Sequence, residues 1–242
     1  MNIALLLSGG VGTRIGSDVP KQYIRINDKL LITYSLETLA ISTDIDWIQI
    51  AAEESWRGSI IADAREHNIP IEKIKGFTEP GHNRQASILN GMKDILRWED
   101  TAIDMQCAES RDAILIHDAA RPLLTQKQIH DCFSSLKGYD GVMPVLPMKD
   151  TVYISQDGAE VSELIDRDKV FAGQAPELFR FKNYYQANID LLPDRIAFIK
   201  GATEPAIMAG MDIAMIPGDE NNFKITTQAD LDRFRKIVSG GE

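Results

Sequence analysis

Cysteine is scarce in this 242-residue chain: Cys107 and Cys132 are the only two, and neither has partners at metal-ligand spacing. A disulfide framework and a zinc site are thereby excluded, and both thiols are expected to be buried. Long apolar runs are also missing. None approaches the roughly 18 to 20 residues of a membrane span, and residues 3–7, the first strand-like run, have neither a basic flank nor a cleavage site. A cytoplasmic protein without a membrane partner is expected. Positive charge is in deficit, with 26 Lys and Arg against 36 Asp and Glu and a net charge of -10. That sign excludes nucleic acid as a partner, so any anionic ligand must be held by a local cluster of cations. No repeat of 20–50 residues and no Pro- or Ser-rich linker interrupts the chain. What is there, 44% hydrophobic and 26% charged residues, describes one globular domain over residues 1–242.

Short β-branched runs alternate with segments of helical period. Strands are expected at 3–7, 47–52, 113–117, 142–146, 170–174 and 213–216. Helices are expected at 30–41, 56–67, 84–98 and 126–136, and from 227 or 228 to just before Gly240-Gly241. This βαβ alternation predicts an α/β fold, a Rossmann-like, doubly wound and mostly parallel sheet. One stretch breaks the rhythm: strands at 151–154 and 160–162 flank Gln156-Asp157-Gly158, whose Asp-Gly is a hairpin turn signal. A lone hairpin is marginal in water, so this one should pack on its own sheet or on a second subunit.

The strongest chemical signal is Leu7-Ser8-Gly9-Gly10-Val11-Gly12-Thr13-Arg14, directly after the first strand and followed by Pro20-Lys21-Gln22-Tyr23. Open parallel sheets bind ligands beyond the carboxyl ends of their strands, and glycines let backbone N–H groups approach phosphate oxygens. The spacing fits neither a Walker A loop nor the dinucleotide fingerprint. Arg14 and Lys21 supply the cations a triphosphate needs. His117-Asp118-Ala119-Ala120-Arg121-Pro122 closes another strand, where Asp118 can hold Mg²⁺ and Arg121 can meet a second phosphate. Gly81-His82-Asn83-Arg84, with Ser87, lies at a helix start whose unpaired N–H groups can read the edge of a flat base. His82 could touch a nucleotide there, but it reads more readily as an exposed loop histidine.

Together these blocks resemble, nearly end to end, the cytidylyltransferases that activate 2-C-methyl-D-erythritol 4-phosphate and their relatives that activate ribitol 5-phosphate. Lys149-Asp150-Thr151, Asp166-Arg167, Gly173-Gln174-Ala175-Pro176-Glu177 and Asn222-Phe223-Lys224-Ile225-Thr226 extend the likeness. The resemblance implies a GT-A-like nucleotidyltransferase fold, CTP and a small polyol phosphate as substrates, and Mg²⁺ as cofactor. It assigns nucleotide contacts to Leu7, Ser8, Gly9, Gly10, Gly12, Thr13, Gly81, His82, Arg84, Ser87, Asp118 and Ala119, and catalysis to Arg14, Lys21, Asp118 and Lys224. Acceptor contacts fall to Arg121, Thr151, Arg167, Ala175, Thr203 and Lys224. It makes the hairpin part of an arm, about 149–172, exchanged within a homodimer so that Arg167 reaches the neighbouring site. Metal would sit on Asp118, with Glu220 or Asn221 where the family commonly has an acid.

The likeness also departs in places. Ala175 replaces the threonine of a Thr-Pro-Gln block, and Thr203-Glu204-Pro205-Ala206 stands for Thr-Asp-Glu-Ala. Gly173-Gln174 and Phe179-Arg180 look like the ribitol branch, whereas residues 117–122 look like the methylerythritol branch. The expected acceptor is methylerythritol phosphate, in isoprenoid precursor synthesis. Ribitol 5-phosphate, for CDP-ribitol and a surface polysaccharide, is the alternative, and another polyol or sugar phosphate comes third. A non-catalytic CTP-binding regulatory subunit is the reading from a different class.

Overall fold

Most of the expected strands lie side by side in a computed structural model of the chain, which describes residues 1–10, 19–99, 103–107 and 110–240. In chain order the elements are β1 (Asn2–Leu7), the short pair β2 (Arg25–Ile26) and β3 (Lys29–Leu30), α1 (Leu31–Ile41), β4 (Trp47–Ala51), α2 (Glu54–Glu66), β5 (Ile74–Thr78) and α3 (Arg84–Ile95). Next come β6 (Ala113–Asp118), α4 (Gln126–Ser135), β7 (Gly141–Pro147), β8 (Val152–Ile154), β9 (Glu163–Ile165), β10 (Phe171–Gly173) and β11 (Glu177–Arg180). The chain closes with α5 (Phe181–Ile189), α6 (Glu204–Met208), β12 (Ile213–Pro217) and α7 (Gln228–Val238).

The main sheet runs β10-β7-β11-β6-β1-β4-β5, with β12 also paired to β7. Alternate residues of β1 explain its two covered faces. Ile3 and Leu5 pack into one apolar cluster with Ile88 and Met92 of α3 and Phe181 and Tyr184 of α5. Ala4 and Leu6 pack into the other with Leu36 of α1, Ile60 of α2 and Ile129 of α4. A strand that is apolar at every position is stable only between two layers of helix. Two of the helices start where side chains satisfy their free N–H groups reciprocally: Thr125 and Gln128 form a capping box on α4, and Thr227 and Asp230 form one on α7.

β1 runs parallel to β4 and β6, β4 to β5, and β7 to β12. β11 is antiparallel to β6 and β7, and β10 to β7, so the sheet is mixed at this end. Several boundaries differ from expectation. α3 ends at Ile95, and the second hairpin strand is β9, three residues beyond its expected start. The Asp157 carboxylate accepts from the N–H groups of Ala159 and Glu160, and Ser155 Oγ accepts from Gly158 N, so Asp157-Gly158 lies inside a wide loop. Cys132 is buried as expected, but Cys107 is exposed, in the loop before β6. No described helix is long and apolar enough to cross a membrane.

Candidate active site

The parallel registers bring the carboxyl ends of four strands into a row: Thr78 lies opposite Ala51, Ala51 opposite Leu7, and Leu7 opposite Asp118. The glycine loop leaves from the second-last of these and Asp118 ends the last. Beside them opens a cavity of about 370 Å³, lined by Leu7, Ser8, Gly9, Gly10, Lys21, Gln22, Gly81, His82, Asn83, Arg84, Ser87, Asp118, Ala120, Lys224 and Thr226.

Each wall is locally braced. Gln22 Nε2 donates to the carbonyls of Ser8 and Gly10, at 2.5 and 2.7 Å, and Ser8 Oγ donates to Ala51 O at 2.8 Å. Tyr23, stacked on Trp56 at 4.3 Å, donates to Ser8 O. A Cβ on Gly9 would fall 2.3 Å from Pro80 Cβ, so Gly9 permits loop-to-loop packing, while Gly10 has open space on its cavity side. On the adjoining wall Asn83 caps α3 by accepting from Ala86 N, and Ser87 Oγ accepts from Gly81 N. A Cβ on Gly81 would sit 2.7 Å from the carbonyl carbon of Ala86, which only glycine avoids here.

The charged groups form one connected chain. Lys224 Nζ donates to Asp118 Oδ2 at 2.8 Å, and Arg84 Nε to Asp118 Oδ1 at 3.0 Å. Arg84 Nη2 reaches Glu177 Oε2 at 3.0 Å, and Glu177 Oε1 accepts from Thr203 Oγ1 at 3.0 Å. Burial alone would raise the Asp118 carboxyl, but Arg84 and Lys224 hold it far below the usual carboxylate range. Burial disfavours the Arg84 cation, and the Coulomb attraction of Asp118 and Glu177 overcomes this and raises its pKa. His117, fully buried beneath, is pushed down to about 4 by desolvation, and its Nε2 donates to the carbonyl of Arg121. Lys21 Nζ donates to Ile225 O at 2.7 Å, beside the cavity.

Of the residues singled out in the sequence, Leu7, Ser8, Gly9, Gly10, Lys21, Gly81, His82, Arg84, Ser87, Asp118 and Lys224 meet at this cavity. Gly12, Thr13 and Arg14 lie outside the described residues. Ala119 does not line it. Its side chain is in the core and its N–H bonds Leu7 O, so the chain turns and Ala120 faces the cavity instead. Glu220 and Asn221 are outside the cavity lining: Glu220 pairs with Lys149, and the Asn221 N–H folds back onto Asp219.

The acceptor residues are arranged differently. Arg121 is half-buried and donates to Asn222 O at 2.6 Å, outside the cavity lining. Ala175 and Thr203 are buried, and Thr203 faces Glu177. Thr151 and Arg167 are exposed on the arm, where Arg167 donates to Lys149 O. Sequence reasoning missed Gln22, Asn83, Ala120 and Thr226 in the cavity lining, and Glu177 behind it, as site residues, although all five stand within the motif blocks.

A model of the family described as IspD, 2-C-methyl-D-erythritol 4-phosphate cytidylyltransferase, matches residues 2–239. A bifunctional IspD/IspF enzyme of Maricaulis maris is 32% identical over 98% of this chain, which spans 57% of that relative, little more than half its length. A ribitol-5-phosphate cytidylyltransferase of Lacticaseibacillus paracasei is 26% identical over 98% of both chains. Among solved structures, the 4-diphosphocytidyl-2C-methyl-D-erythritol synthase of Anaerococcus prevotii aligns with a TM-score of 0.79 over 98% of this chain and 96% of that one. At 21% identity this is a likeness of fold.

Proposed function

The chain belongs to the 2-C-methyl-D-erythritol 4-phosphate cytidylyltransferase family, and from that premise we propose that it transfers CMP from CTP to a small polyol phosphate, methylerythritol 4-phosphate first. The observation that carries the reading is the convergence of Lys21, Arg84 and Lys224 on one glycine-walled cavity in a chain of net charge -10. An oxygen of the acceptor phosphate attacks the α-phosphorus of CTP. The bond from that phosphorus to its bridging oxygen breaks, and pyrophosphate leaves with the electron pair. A phosphate dianion is already a nucleophile, so no side chain need be one. The protein positions the two anions and offsets their repulsion, about 4 kcal/mol for unit charges ~4 Å apart at an effective dielectric near 20.

Among the described residues Asp118 is the one carboxylate lining the cavity, and these residues include no group of three or more His, Cys, Asp or Glu that could hold a metal. That donor set suits a Mg²⁺ that arrives on the triphosphate and takes one carboxylate from the protein. When bound, it would neutralise charge on the phosphates. The arm and Arg167 support a homodimer whose acceptor site is completed by the second subunit.

Ribitol 5-phosphate is the second reading, favoured by Ala175-Pro176-Glu177 and by the relative matched over its whole length. Pyrophosphate release from CTP with methylerythritol 4-phosphate, ribitol 5-phosphate and other polyol phosphates tests both. Release with one acceptor at least tenfold faster than with the rest is expected. CTP binding without release for any acceptor would favour the non-catalytic regulatory subunit.

A further inference from the structure

Glu177 is a buried carboxylate that does not line the cavity, yet both of its oxygens are committed to groups beside it: Oε2 to Arg84 and Oε1 to Thr203. It opens β11, the strand that returns antiparallel beside β6, and its register opposite Ile116 places it next to the end that carries Asp118. Along the chain Lys224, Asp118, Arg84, Glu177 the charges alternate, so Asp118 is shared by two cations and Arg84 by two carboxylates. The two cations differ in freedom. Lys224 has a half-exposed side chain on an irregular segment and Asp118 as its ion-pair partner, whereas Arg84 is the first residue of α3 and is fastened at both Nε and Nη2.

We infer that Glu177 is a positioning residue that holds Arg84 aside when a Mg²⁺-bearing nucleotide engages Asp118 and Lys224. This rests on the cytidylyltransferase reading and deepens it. A divalent cation arriving at Asp118 repels both guanidinium and ammonium. Lys224 can swing to the phosphates, while Arg84 stays anchored by Glu177. Without that anchor, Arg84 has Asp118 as its one remaining carboxylate, competes there more strongly with the metal than in the braced chain, and adds one uncompensated positive charge to the site. Both consequences move the same quantity in the same direction. Metal-free CTP should bind more tightly, and the gain from Mg²⁺ should shrink.

Equilibrium dialysis of CTP with and without Mg²⁺, in the absence of acceptor, reads this without turnover. The ratio of the two affinities should fall about tenfold in Glu177→Gln and stay within about threefold of wild type in Glu177→Asp, which keeps the charge. In Arg84→Gln, which frees Asp118 of its competitor, the ratio should rise, and adding Glu177→Gln to that variant should change it less than twofold. Arg84→Gln also reads the brace from its other end should Glu177→Gln fail to fold. Equal loss of both affinities in Glu177→Gln, or the same effect with and without Arg84, would overturn the inference alone. Absence of CTP binding to the wild-type chain would overturn the cytidylyltransferase reading and this inference with it.

Discussion

The cavity and the arm are built on opposite plans. At the cavity, side chains far apart in sequence hold one another: Asp118 with Arg84 and Lys224, and Gln22 with the glycine loop. On the arm, β8 and β9 pair with each other in a sheet of two, and Arg167 bonds within the arm itself, to Lys149. Its apolar side chains face outward, with Tyr153 at 56%, Val161 at 67% and Leu164 at 61% exposure. A two-stranded ribbon with an uncovered apolar face is a surface built to be covered. The contrast teaches that, among the described residues, the cavity is closed by contacts within one copy of the chain, whereas the arm is left open, as the proposed homodimer requires.

The sharpest way to break that contrast is Asp118→Asn. Two charge-assisted hydrogen bonds end on this carboxylate, each worth roughly 1.5–3 kcal/mol, so turnover should fall on the order of 10² to 10⁴-fold. Steady-state pyrophosphate release measures it. Activity within tenfold of wild type would mean that the cavity is not the reaction centre.

A smaller effect tests the arm. Lys21→Ala damages the copy's own cavity and Arg167→Ala damages the arm it lends, so each homodimer should be nearly inactive. Mixed and re-equilibrated, half of the dimers carry one chain of each kind, and in those one site of the two is intact. About a quarter of wild-type activity should return, on the symmetry of a twofold assembly. Mixtures no more active than the parents would place Arg167 in its own chain's site or in none, and would dissolve the distinction between the two halves.

Much of the cavity was legible in the sequence because strands apolar at every position announce a sheet covered on both faces, and their carboxyl ends then locate the ligand. Asp118 and the glycine loop follow from that argument alone. β11 was not legible: Glu177 and Arg180 leave only Leu178 and Phe179 as an apolar pair between them, too short a run to read as a strand. With β11 went Glu177, whose pairing with Arg84 spans 93 positions and exists only because the chain returns antiparallel beside β6. The surroundings of Glu220 were not legible for a different reason: its ion pair with Lys149 lies at the surface and joins positions 71 apart in the chain. Ala119 and Ala120 exchanged roles by one residue, since a turn after β6 decides which side chain faces the core.

The mildest test uses two carboxylates that do similar local work in the two halves. Asp230 accepts from Thr226 and Thr227 and so ties α7 to the segment carrying Lys224, while Asp157 accepts from Ala159 and Glu160 and ties only its own loop. Desolvation would raise the Asp230 carboxyl, but these hydrogen bonds outweigh it and bring it down to about 2. Asp157, fully exposed, is lowered chiefly by the N–H groups of Ala159 and Glu160. A folded-state pKa below the unfolded value means that the unfolded chain binds the proton first. The stabilisation is therefore present above the ordinary carboxylate pKa near 4 and is lost as pH falls from there toward about 2 for Asp230. Removing the α7 cap by Asp230→Ala should cost about 1 kcal/mol at neutral pH in urea unfolding, a difference that shrinks on acidification. Asp157→Ala should leave both global stability and CTP affinity unchanged within error, because no second element hangs on that loop. If Asp157→Ala weakened CTP binding, the arm would be coupled to the cavity inside a single chain, and the division between a self-contained half and a lent one would fail at its weakest joint.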